Sequence, residues 1–144
     1  MQCYKLVATM TRITAICLLL FNGVGAVYGG LNLAIYPDGS SIHLDPALLA
    51  HTPFHSYLIP GIVLFLSNGI LSLAVLVTII TKRSGYYRYI VLQGVVLLGW
   101  LIVQMLLIRK IDVLHYVMGV TGIALVVCGL IIRNCNLNLR TSGY

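Results

Sequence analysis

Charge is what this sequence has least of: 8% of its 144 residues are charged, and only 3 are acidic. Soluble domains carry about 25% charged residues. With 60% of the chain hydrophobic, a water-soluble fold would lack the polar surface to cover its apolar side chains, whereas a bilayer accepts them. The deficit excludes an ordinary soluble domain.

Other absences narrow the chemistry. No Asp, Glu, Lys or Arg lies deep within an apolar run, which argues against proton pumping, voltage sensing and carboxylate acid–base chemistry inside the bilayer. There is no nucleophile elbow, H-E-x-x-H, phosphate loop or nucleotide fingerprint. Cys3, Cys17, Cys128 and Cys135 form no C-x-x-C pair, and none lies in the long polar loop. They imply neither a disulfide framework nor the paired outer cysteines of quinone-linked disulfide-forming oxidoreductases. The acidic residues on which sterol-isomerase-like membrane bundles rely are missing from the apolar runs too. The chain therefore reads as non-enzymatic and calls for no cofactor. No linker, low-complexity tract or repeat divides it, so residues 1–144 form one domain. The net charge of +6 does not signal a nucleic-acid partner, because the basic residues sit at the ends of apolar runs rather than along a solvated face.

Those apolar runs number four, at about 13–36, 58–81, 90–108 and 115–132. Each is long enough to cross about 30 Å of hydrocarbon as a helix. They lack the alternation of a membrane barrel strand. The expected fold is all-α: an integral membrane four-helix bundle embedded in lipid. Lys5, Arg12, Lys82, Arg83, Arg88, Arg133 and Arg140 fall on one side, against Arg109 and Lys110 on the other. That bias puts both termini in the cytoplasm. Tyr36, Tyr57 and Tyr116 then mark an outer aromatic belt, with Tyr86, Tyr87 and Tyr89 at the inner boundary. A rival reading takes Lys5, Arg12 and Val24-Gly25-Ala26 as a cleaved signal peptide. The first run continues to Tyr36, well past the 7–15 residues of a typical signal core, so four spans is preferred.

The polar content of the spans is mostly amide. Asn22, Gly25, Gly29, Asn32 and Tyr36 recur at three- and four-residue steps and form one stripe of the first helix. Gly25 and Gly29 make a small-xxx-small pair, expected to pack against another helix. Asn22 and Asn68 both lie roughly 14–15 Å deep at 1.5 Å per residue. Gln93, Trp100 and Gln104 share a face of the third helix, with Gln104 at about the depth of Asn32. Asn22–Asn68 and Asn32–Gln104 are therefore expected neighbours. Such amides act as interhelical glue, worth about 0.6 kcal/mol each. The alternative is a polar cavity lined by Asn22, Asn32, Asn68, Gln93 and Gln104.

The long outer loop opens with the turn residues Pro37-Asp38-Gly39. Asp45-Pro46 reads as an N-cap with proline at the first helical position, predicting a short amphipathic helix over Pro46–Ala50. Leu44, Leu48 and Leu49 would face the bilayer boundary. His43, His51 and His55 cluster there with Asp38 and Asp45, a donor set suited to zinc or copper. Against it, Pro53 breaks the helix that would align His51 with His55. Scattered surface histidines are the simpler account.

Pro37-Asp38-Gly39-Ser40-Ser41 through Leu44, Leu48-Leu49, Thr52-Pro53-Phe54 and Tyr57-Leu58-Ile59-Pro60-Gly61 resembles a segment of small uncharacterised bacterial four-span membrane proteins. The likeness covers the first half of the chain; the second half shares only the span pattern. It implies a bacterial cytoplasmic (inner) membrane location and no activity. That family is expected to carry an acidic residue near Ser56 and no histidine cluster, which weighs against His43, His51 and His55 as a site. A looser likeness to DoxX-like proteins rests on architecture alone. Three functions follow as expectations: an accessory or scaffold subunit contacting another membrane protein, a small-molecule or ion pathway lined by the amides, and outer-loop metal binding.

Overall fold

A computed structural model describes residues 2–49, 52–108 and 112–141. It contains four helices long and apolar enough to cross a membrane. The first helix is Gln2–Ile35. The second spans Leu58–Ile80, with a π-helical stretch at Phe65–Ile70 set between two α-helical segments. The third is Tyr86–Ile108 and the fourth Val113–Thr141. The first packs on the second and fourth, and the third on the second and fourth, so the bundle closes as a ring in chain order.

Two helices outrun their apolar stretches. The first begins at Gln2 rather than near 13, and the fourth continues to Thr141 rather than ending near 132. No glycine or proline interrupts 2–12 or 133–141. In the first helix the hydroxyls of Thr9 and Thr14 donate to the carbonyls of Lys5 and Met10, one turn back. At 1.5 Å per residue the 34-residue first helix is roughly 51 Å long, well beyond the hydrocarbon core.

Glycine sets how closely the spans approach. A Cβ on Gly30 would lie 2.7 Å from Phe65 Cβ and 2.8 Å from the Gly61 carbonyl oxygen; one on Gly61 would lie 2.6 Å from Leu33 Cβ. The first and second helices thus meet backbone to backbone, as small residues permit in membranes. The third and fourth do the same, where a Cβ on Gly94 would lie 2.8 Å from the Gly122 oxygen. The expected pair Gly25–Gly29 is not the packing face. A Cβ on Gly25 would meet nothing within 4 Å, and one on Gly29 only Leu64 at an ordinary 3.6 Å. The buried stripe runs instead through Ala15, Leu19, Asn22, Gly23, Ala26, Gly30 and Leu33. It is the predicted stripe turned by about one residue. From Asn22 toward the N-terminal end of the first helix the core is apolar, built from Ala15, Leu19, Val75, Ile79, Ile90, Leu125, Cys128 and Ile132.

The outer loop folds onto the bundle as two 3-10 turns, Ser40–Ile42 and Pro46–Leu49. The second of these replaces the expected short α-helix; Ala50 lies outside the described residues. Gly39 (φ 79) supplies the left-handed corner. Tyr57 is no belt residue: it is 3% exposed, whereas Tyr36 and Tyr116 face outward. Its backbone N–H donates to the Pro37 carbonyl and its hydroxyl to the Asp45 carbonyl, each at 2.8 Å, tying both ends of the loop together. Burial, with the Asp45 charge behind it, pushes the Tyr57 phenol up from its ordinary pKa. Asp38, by contrast, is held below the ordinary carboxylate value by hydrogen bonds from the Ser40 hydroxyl and backbone.

Gly30→Val should destabilise the bundle by about 1–3 kcal/mol through overpacking. Gly25→Val should leave stability unchanged in the same denaturation series in detergent. For Tyr57→Phe the expected loss is about 1 kcal/mol, read as faster cleavage of residues 37–57 by added protease.

Candidate functional site

A chain of amides and hydroxyls links three of the long helices near their middles. Asn22 Nδ2 donates to Ser72 Oγ at 2.7 Å and to the Asn68 carbonyl at 3.3 Å. Asn68 Nδ2 donates to Ser67 Oγ at 3.1 Å, and Ser67 Oγ donates to the Val63 carbonyl at 2.7 Å. From the third helix, Gln93 Nε2 donates to Asn68 Oδ1 at 3.3 Å and reaches the Ser67 carbonyl at 3.5 Å. Asn22, Asn68, Ser72 and Gln93 are all buried.

The backbone makes this meeting feasible. Ser67, Asn68 and Gly69 fall within the π-helical stretch, where Leu71 N–H donates to the Leu66 carbonyl, five residues back instead of four. The wider turn presents the Ser67 and Asn68 carbonyls to side chains of the third and first helices. Gly69 lets the first helix lie alongside: a Cβ there would fall 2.9 Å from Val27 Cγ2 and 3.2 Å from Val27 N. One polar atom in the cluster stands apart. Gln93 Oε1 is buried and meets no donor among the described residues.

The remaining predicted site residues lie elsewhere. Asn32 does not pair with Gln104. Its Nδ2 donates to its own helix at the Tyr28 carbonyl (2.8 Å), and its Oδ1 accepts from the Ser41 hydroxyl, anchoring the outer loop. Gln104 makes no hydrogen bond to another side chain among the described residues. His43 and His55 are exposed, and His51 lies outside the described residues. His43 takes a left-handed backbone (φ 56), with Nδ1 3.3 Å from the Ser40 carbonyl. Among the described residues, no group of three His, Cys, Asp or Glu side chains is placed to hold a metal ion.

His115 is the polar residue that reading the sequence missed. It is buried in the first turn of the fourth helix. Its Nδ1 accepts from the Asp112 N–H at 3.2 Å, while its own N–H donates to the Asp112 carbonyl at 2.9 Å. The ring thus makes the half of a capping box in which a Glu or Gln side chain usually reaches back to the N-cap N–H. Because Nδ1 accepts, the ring proton is on Nε2, which is buried and unpaired among the described residues. The signal was Asp112-x-x-His115 directly before an apolar run.

No protein-family model, curated protein or solved structure matches this chain.

Hydrogen bonds between membrane helices average about 0.6 kcal/mol and reach about 1.7. Asn68→Leu removes two bonds, one to the Ser67 hydroxyl and one from Gln93, while Asn22 keeps Ser72 and the backbone carbonyl of residue 68, so its cost should lie between the two figures, at about 1.2 kcal/mol. Gln104→Leu should cost under about 0.5 kcal/mol. Unfolding of both variants by added SDS would order them.

Proposed function

We propose that this protein is a non-catalytic membrane protein serving as an accessory or scaffold subunit of another membrane protein. The carrying observation is the pairing of the midplane amides with one another. Groups that would line a pathway donate to partners on neighbouring spans instead. The glycine contacts that hold first to second and third to fourth helix favour a rigid body rather than an opening one. The four apolar helices support a multi-pass position in lipid. The excess of Lys and Arg at one end supports cytoplasmic termini, and the resemblance carried by residues 37–61 supports a bacterial inner membrane.

One observation favours a second reading. The unpaired Gln93 Oε1 is an acceptor that a small polar solute would satisfy, as in a pathway lined by Asn22, Asn68 and Gln93.

The first reading expects a membrane protein to copurify at fixed stoichiometry through mild detergent and a high-salt wash. Recovery of the chain alone would defeat it. Solute flux into proteoliposomes that Asn68→Leu abolishes would favour the second reading; equal flux with and without the protein would remove it.

A further inference from the structure

The end of the bundle opposite the outer loop carries a concavity of about 550 Å³, lined by Lys82, Arg83, Arg88 and Arg133 together with Tyr86 and Asn136. A second cleft of about 300 Å³ adjoins it, shares Tyr86 and Asn136, and adds Lys5 and Arg12. The three acidic residues of the sequence are Asp38, Asp45 and Asp112. The first two lie in the outer loop, and Asp112 precedes the fourth helix at the same end. No carboxylate side chain of the chain therefore stands at the basic end. The Arg88 guanidinium rests over the Tyr87 ring, 5.8 Å from its centroid, which orients it without neutralising it.

The concavity has a structural origin. The turn between the second and third helices is short, whereas the fourth helix runs on to Thr141. A step is left between hairpin and projecting helix, with cations on both of its walls. It lies where the apolar spans end, at the level of phospholipid phosphates.

A second observation points the same way. The second helix ends in a Schellman motif, in which Lys82 N–H donates to the Ile79 carbonyl at 3.1 Å and Arg83 N–H to the Thr78 carbonyl at 3.0 Å. The residue at the left-handed position of that motif is usually glycine. Here it is Lys82, at φ 51. The Schellman turn therefore fixes the backbone of Lys82 at the mouth of the basic cleft.

We propose that this cleft binds the phosphate head group of an anionic phospholipid of the leaflet facing the basic end. Lys82, Arg83, Arg88 and Arg133 supply the charge. The Tyr86 hydroxyl and the Asn136 amide supply neutral donors. Leu137, which also lines the cleft, meets the start of the acyl chains. The proposal rests on the four-span arrangement and not on an accessory role.

The test is lipid retention by the purified full chain in nanodiscs, read by native mass spectrometry. Wild type should retain phosphatidylglycerol in preference to phosphatidylcholine. Arg88→Gln/Arg133→Gln should weaken that retention by at least about tenfold. Lys5→Gln, which removes a charge from the neighbouring cleft only, should change it by less than about twofold. Lys82→Gly should weaken retention while leaving the thermal midpoint in phosphatidylcholine unchanged or higher, since glycine relieves the left-handed strain. Equal loss in Lys5→Gln and the double variant would mean diffuse surface charge and overturn the proposal. So would stabilisation by inorganic phosphate in phosphatidylcholine nanodiscs that phosphatidylglycerol does not match, because the site would then belong to a free anion.

Discussion

Contact between the first and second helix backbones is the constraint on which the rest depends. Amide side chains are short, and hydrogen bonds across spans form only where the axes approach closely. With Gly30 against Phe65 and Gly61, the first helix lies near enough for Asn22 to reach both Ser72 and Asn68. Asn68 is thereby fixed where Gln93 can meet it. In lipid there is no water to satisfy these groups, so the close packing and the polar chain are mutually conditional.

The two ends of the molecule differ in kind. Its outer end is closed by hydrogen bonds: Tyr57 ties Pro37 to Asp45, Ser41 holds Asn32, and His115 caps the fourth helix through Asp112. At the basic end, two helices project beyond the hairpin, and clefts lined by cations open between them. One end is thus ordered by hydrogen bonds, and the other is open and basic.

What was legible in the sequence follows from what hydropathy measures. Apolar runs mark where lipid begins and ends, so the number and approximate middle of the spans could be read. Helix ends could not, because Gln2–Arg12 and Arg133–Thr141 stay helical without being apolar. The meeting of Asn22 with Asn68 followed from rise per residue alone. The Asn68–Gln93 contact did not, since it relies on a π-helical stretch that no local propensity announces. Gly25 and Gly29 satisfied a motif that pairs any two small residues four apart. Gly23 and Gly30, seven apart on the adjacent face, make the contacts. A spacing rule sees small side chains but not the direction in which a helix is turned.

The π-helical stretch also bears on how this chain tolerates change in length. A helix with one residue too many for its turn holds the segments on either side in the alignment of an uninterrupted α-helix. Removing a single residue between Phe65 and Ile70 would leave Gly61 on one flank and Val75 and Ile79 on the other still facing inward. Only the two carbonyls turned toward neighbouring amides would close back into the ladder. A shortened sequence of this type would keep the bundle and lose its polar crossing, so that architecture and midplane chemistry are separable by one codon.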